Sequence, residues 1–325
     1  MIIVEKGSGP LLLCLPHVGS DIPPTVNARL SATGRLQADI SWRLEHVFDV
    51  ARELDATIVR STVSRYVIDV DRDASDDQVA EEASELPLRE LLCPQATLDL
   101  KNIYKPEEEP GPVEIEQRRM LFYDPFHRAL NGELARLRAT HDNVILFDCQ
   151  SVRSRIRGFV EGELPTLNVG TAEGQSCAPD ARNTFVGSFT GLSGYTVAVD
   201  GVFKGGHITR QYGNPERGVH AMTLVIAQRT YLRHESPPFE PDKSRIARLQ
   251  TTLIEGLSRV ADWAQGAPGA DLHPAPAPVF DLVSDSADDL PESELDVAAG
   301  DLDAEQHQKE EAAAVEDLIT PLVAE

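Results

Sequence analysis

The stretch that most constrains this chain is Asn143–Asp148, NVILFD, in which four consecutive apolar residues are closed by an acid. An unbroken apolar strand cannot turn one face to water. Both faces must be covered, which predicts a strand deep in a sheet with helices on both sides. Leu11–Leu15, bounded by Gly9-Pro10 and Pro16, reads as a second buried strand. Thr57–Val59, Tyr66–Val70, Tyr195–Val199 and Met222–Ala227 carry further strand signals. Helical patterns lie between them. Asp39–Leu54 places Trp42, Leu44, Val47, Phe48 and Ala51 on one face, Glu114–Thr140 is helical with a break near Pro125, and Ser244–Ala264 closes the pattern. The alternation predicts an α/β fold, a mixed or mostly parallel sheet with helices on both faces.

The pattern stops near Ala267, where PGADLHPAPAP breaks any helix. Residues 271–325 hold sixteen acids against one lysine, which is −15 of the net charge of −23. A segment so charged and so poor in aromatics cannot bury enough apolar area to offset its ordering entropy. The expected organisation is one domain over 1–265, then a Pro/Ala linker and an acidic, disordered tail over 266–325 that could serve as an arm for a protein partner. The body, at −8, offers no basic footprint, so nucleic acid is not an expected partner. No apolar run approaches the ~18 residues of a membrane span, and the N-terminus has no basic signal region. Neither membrane insertion nor export is expected, and the expected compartment is the cytoplasm. Cys14, Cys93, Cys149 and Cys177 lack C-x-x-C spacing and read as buried, reduced thiols.

Ligand sites of open α/β sheets form at the carboxyl ends of strands. His17 follows the first buried strand, and Asp148, Gln150, Ser151 and Arg153 follow NVILFD. Arg65 and Arg72 in SRYVIDVDR, Arg153, Arg155 and Arg157 in SVRSRIR, and Arg210 in GGHITRQYG either are solvated surface groups or form a pocket for a small dicarboxylate, whose carboxylates guanidinium groups match in bidentate fashion. The FKGGHITRQYG loop lacks the spacing of a phosphate-binding loop, no H-E-x-x-H motif or its inverse occurs, and Ser151 has no G-x-S-x-G elbow.

Taken together and in order, PHVGSDIP, SRYVIDVDR, DCQSVRSRIRGFVEGELPTLNVGTAEGQSCAP and FKGGHITRQYGNPERGVHAMTL resemble the N-formylglutamate amidohydrolase (N-formylglutamate deformylase) family, over about residues 8–235. The resemblance implies a phosphorylase/hydrolase-like three-layer α/β/α fold with a mixed sheet, similar to that of zinc carboxypeptidases. It implies hydrolysis of N-formyl-L-glutamate, or a related N-acyl amino acid, to glutamate and formate in histidine breakdown. It also implies zinc or another divalent metal, which would polarise the formyl carbonyl and activate a water, and arginines that hold the substrate carboxylates. On this alignment His17, Asp39 and Gln150 fall on metal-ligand positions. Arg65, Arg72, Arg153, Arg210 and Asn168 fall on substrate-binding positions.

Several positions depart from the family pattern. The D-x-D-W-H segment reads Asp39-Ile40-Ser41-Trp42-Arg43, the D-x-H-S histidine falls on Gln150, and the acid of the last strand falls on Val225. The arginine after R-S-x-x-P falls on Gly158, one place beyond Arg157. The T-R-H-Y-G histidine falls on Gln211, and the N-R before FKGG falls on Asp200 and Val202. Glutamine is a poor zinc ligand beside imidazole, and valine accepts no proton. Two readings follow. One is an active amidohydrolase with altered ligands, His207 supplying an imidazole. The other is a catalytically silent relative that binds a dicarboxylate or an acylated amino acid, or regulates.

Overall fold

The computed structural model describes residues 2–74 and 87–266. The expected linker and acidic tail, and any partner of that tail, lie outside the described residues. Seven strands form one sheet: β1 (Ile2–Glu5), β2 (Leu11–Leu15), β3 (Thr57–Ser61), β4 (Val144–Val152), β5 (Leu167–Gly170), β6 (Val197–Val199) and β7 (Val219–Ala227). Their order is β1-β3-β2-β4-β7-β5-β6. Three short helices, α1 (Pro24–Arg29), α2 (Ala32–Arg35) and α3 (Leu44–Phe48), lie between β2 and β3 along the chain. The central strands β3, β2, β4 and β7 run parallel, with β1 antiparallel at one edge. On the other side β5 is antiparallel to β7 and parallel to β6, so the sheet is mixed.

The unbroken apolar runs are explained by two cores. On one face Leu11, Leu13, Ile145 and Phe147 pack with Leu249, Leu253, Leu257 and Val260 of α8 (Lys243–Gly266) and with Phe185 of α6 (Pro179–Gly187). On the other, Leu12, Cys14, Val144 and Leu146 pack with Phe126, Leu130, Leu134 and Leu137 of α5 (Asp124–Arg138). Both faces are thus sealed by helices, as the period-two geometry of a strand requires. All four cysteines are buried and free. Among the described residues no helix is long and apolar enough to cross a membrane.

Four elements differ from the sequence expectation. The helix expected over Asp39–Leu54 is a short α-helix over Leu44–Phe48 that tightens into a 3-10 helix over Asp49–Leu54. Strand β4 does not stop at Asp148 but runs to Val152, because Asp148–Val152 pair residue by residue with Thr223–Ala227 of β7. Tyr66–Val70 is a series of turns: Val67 and Ile68 donate backbone bonds to Ser64, and Arg72 donates to Asp69. Its side chains are buried all the same, since the apolar residues that suggested a strand fill the α5-side core. The helical stretch over 112–138 breaks before Pro125, at a wide turn over Arg119–Tyr123 between α4 (Pro112–Arg118) and α5. Pro125 follows this π-turn inside a helix that runs on from it, and the wider turn takes up the missing N–H and the ring of the proline.

Candidate functional site

The pleat that buries Phe147 on one face turns Asp148, Gln150 and Val152 to the other, beyond the reach of α5. Their register partners on β7 are Thr223, Val225 and Ala227. This strip runs from polar to apolar toward the strand ends. Gln150, Val152, Thr223 and Val225 form the floor of a cleft of about 270 Å³. The turns after β3 bring Arg65, Asp69, Asp71 and Arg72 to one side. The loop before α7 (His207–Tyr212) brings Val202, Phe203 and Lys204 to another, and α7 itself brings Arg210.

Asp69 organises the polar side. His17 Nε2 lies 2.6 Å from its Oδ1, and Arg65 donates to its Oδ2 at 2.6 Å. Arg72 Nε stands 3.6 Å from the same oxygen, and the Asp71 N–H donates to Oδ1. Burial pushes the Asp69 carboxyl up, but Arg65 and His17, then Arg72, outweigh it and hold the group well below the usual carboxylate range.

Gln150 joins two more carboxylates. Its amide nitrogen donates to Asp71 Oδ2 and to Asp148 Oδ2, each at 2.8 Å. Asp148 is fully buried and also accepts from Thr223. Its Oδ1 has no hydrogen-bond partner. Burial, then the charge of Asp71, pushes the Asp148 carboxyl well above the ordinary value, against the opposing bonds from Gln150 and Thr223. Asp71 in turn accepts the Ile208 N–H at the start of α7. Gly206 is required there, because a Cβ at 206 would fall 1.8 Å from Asp71 Oδ2.

The apolar side is one contiguous cluster of Leu98, Val152, Ile156, Leu164, Val225 and Ala227, flanked by Phe159 and Phe203. Arg89 lies over the Phe159 ring, 5.3 Å from its centroid, where the two sides meet.

Of the residues expected at the site, His17, Gln150, Arg65, Arg72, Arg210 and Val225 line this cleft. Asp39 does not line it: its Oδ2 accepts from Tyr66 Oη and the Leu98 N–H, and its Oδ1 from Arg153. Arg153 is held between Asp39 and Asp99. Asn168 donates to the Pro165 and Val225 carbonyls, beside the cleft floor rather than on it. His207 packs against His127 and Tyr123 and faces Asp73, away from the cleft. Ser41 is fully buried, with its hydroxyl bonded to the Ser151 backbone. Asp200 accepts from the Thr171 N–H and hydroxyl and so fixes the turn after β5. Among the described residues, no three His, Cys, Asp or Glu side chains converge as a metal site.

Residues 9–232 match the family model described as N-formylglutamate amidohydrolase. This chain belongs to the N-formylglutamate amidohydrolase family. It is 35% identical over 264 residues to an N-formylglutamate deformylase of Pseudomonas aeruginosa, covering 79% of this chain and 97% of the relative. It is 33% identical to the enzyme of that name from Pseudomonas putida, over 80% of this chain and 95% of the relative. In fold it is similar to the solved structure of an N-formylglutamate amidohydrolase from Ralstonia eutropha JMP134. That match has a TM-score of 0.66 and 21% identity, and covers 81% of this chain and 97% of the other. A solved gene product of Agrobacterium tumefaciens matches with a TM-score of 0.60 and 19% identity, over 80% of this chain and 94% of the other.

Within this amidohydrolase-family fold, Asp69 and Asp71 are the site residues that sequence reasoning missed. Read as the end of a strand, SRYVIDVDR hides them. Two acids at i, i+2 within an otherwise apolar stretch, flanked by Arg65 and Arg72, were the available signal.

Proposed function

We propose that this family member binds a small N-acyl amino acid in the cleft and does not hydrolyse it by metal-assisted chemistry. The observation that carries this reading is Gln150, whose amide nitrogen donates to Asp71 and Asp148 together. Zinc in a hydrolytic site takes three protein ligands, keeps a fourth position open and, when bound, supplies an activated water. The donor set here does not suit it. Gln150 turns N–H groups, which cannot ligate, toward the two acids. His17 gives Nε2 to Asp69, and both Asp39 oxygens are used inside the protein. Val225 offers no proton acceptor. The names of the relatives set the ligand class, and Arg72 and Arg210 supply the groups that would take its carboxylate.

A second reading, hydrolysis as in the family reaction, is favoured by Asp148 Oδ1, a buried carboxylate oxygen without a hydrogen-bond partner. One experiment separates the two. The full chain is purified, its metal content is determined by elemental analysis, and it is assayed for formate release from N-formyl-L-glutamate. We expect sub-stoichiometric zinc and release near background. Stoichiometric zinc with turnover in the ordinary enzyme range of ~1–10³ s⁻¹ would establish the second reading.

A further inference from the structure

The side-chain amide of Gln150 is held in one orientation. Its Nε2 donates to Asp71 Oδ2 and to Asp148 Oδ2, so both of its hydrogens are used. Turned over, the amide would lose both bonds and set its oxygen against the two acids. Asp148 is fully buried beneath the floor, whereas Gln150 lines the cleft. The nitrogen end is therefore drawn into the protein and Oε1 is left at the cleft. Among the described residues Oε1 accepts no hydrogen bond, and it is not one of the buried unpartnered oxygens.

On the floor this oxygen is the one polar side-chain atom left open. Val152 and Val225 have none to offer. The Thr223 hydroxyl donates to Asp148, is shared with the Thr209 hydroxyl and accepts the Gly206 N–H. The two aspartates of the polar wall are also used, Asp69 by His17, Arg65 and the Asp71 N–H, Asp71 by Gln150 and the Ile208 N–H. Donors, by contrast, are in surplus. Arg89 lies over Phe159 with its Nε buried and without a hydrogen-bond partner, 3.7 Å from Glu90, and Arg72 comes no closer than 3.6 Å to Asp69. The cleft thus sets donors on its walls above a single, fixed acceptor on its floor.

We infer that Gln150 is the residue that reads the ligand's amide: its Oε1 accepts the N–H of a bound N-acyl amino acid and sets the preference of the cleft for a secondary amide. With its carboxylates ionised, N-formyl-L-glutamate has one N–H and otherwise only acceptors, which complements a floor with one acceptor beneath walls of donors. An ester in the same place would set oxygen against oxygen and leave Oε1 covered without a partner. Val225, paired in register with Gln150 and 1% exposed, gives that bond an apolar neighbour on which water finds no hold. This inference rests on the proposed reading of the cleft as an N-acyl amino acid site.

Calorimetric titration of the full chain with N-formyl-L-glutamate and with its formate-ester counterpart, in which oxygen replaces the amide N–H, tests it. The amide should bind about tenfold or more tighter. Gln150→Leu removes Oε1 and should bring the two compounds to within about twofold of each other. Because that variant also strips two acids of a donor, a second measurement uses the unaltered chain with glutamine isotope-labelled at the side-chain carbonyl. Gln150 is the one glutamine lining the cleft among the described residues. Its infrared carbonyl band should shift to lower frequency when the amide binds and stay in place when the ester binds. Equal or tighter binding of the ester by the unaltered chain overturns the inference while leaving the N-acyl amino acid reading in place. A folded Gln150→Leu chain that keeps the preference, or a band that does not move when the amide binds, overturns the assignment to Gln150. Binding of neither compound at millimolar concentration overturns the inference and that reading together.

Discussion

Gln150 Nε2 stands 2.8 Å from Asp148 Oδ2, a carboxylate two residues back on the same strand and the same face, in the middle of the sheet. The same nitrogen reaches Asp71 from another loop. One amide therefore separates two acids that would otherwise repel each other where water does not reach Asp148.

Gln150→Leu keeps most of the volume and removes both donated bonds. Leaving buried acceptors unsatisfied costs about 1–3 kcal/mol, and more for charged groups. We expect a loss of about 3 kcal/mol in urea unfolding at pH 7, partly recovered when Asp148→Asn is added. A loss below about 1 kcal/mol would show that the Gln150 bonds do not hold the acids.

Val225→Glu alone should destabilise the chain by about 2 kcal/mol or more, because the new carboxylate enters an apolar cluster at a position 1% exposed. Adding Gln150→His should recover part of that loss only when zinc is present, since the effects of a metal site act as a unit. Thermal melts of the double variant with and without zinc measure this. Identical melts mean that these two positions are insufficient to rebuild a site. Ser41→Asp is a poor third change, since it would break the buried bonds from Ser41 to the Ser151 backbone.

Gly206→Ala should displace Asp71, because the added methyl meets its carboxylate well inside van der Waals contact. Overpacking of this kind costs about 1–3 kcal/mol. A melting temperature unchanged from the parent would mean that the start of α7 shifts freely and does not clamp Asp71.

Acid stability should carry a histidine signature. Burial, then the charge of Arg138, lowers His220 to about 4; burial, then His207, lowers His127 to about 3. Both lie below the ~6.5 of an unfolded histidine, so the unfolded chain takes up these protons first. Their contribution is full above pH ~6.5 and is lost as pH falls through the folded values. His220 Nδ1 accepts the Ala178 N–H, and protonation would sever that bond. His220→Gln should therefore show a smaller drop in urea midpoint between pH 7 and pH 4.5 than the parent. An equal drop would assign the loss to the carboxylates instead.

The sheet was legible because its strands announce themselves chemically. Leu11–Leu15 and Val144–Phe147 are too apolar to face water anywhere, and the structure buries them on both faces. Tyr66–Val70 misled for the same reason, since burial alone does not distinguish a strand from turns packed into a core. At the site, His17 and Gln150 were legible from their place at strand ends. The commitments of Asp39 and Arg153 to each other were not, because a pairing between residues 114 positions apart leaves no local trace. Asp69 combines both cases: Arg65, Asp71 and Arg72 reach it from within four residues, while His17 comes from 52 positions away.

The register that sets Gln150 beside Val225 also bears on how this cleft can change over generations. An acid arriving first at 225 enters an apolar cluster at a position that is 1% exposed. A histidine arriving first at 150 forfeits the amide between Asp71 and Asp148. Each single change at this pair is therefore uphill. The strand pairing ties the two positions together, so that neither is free to change alone.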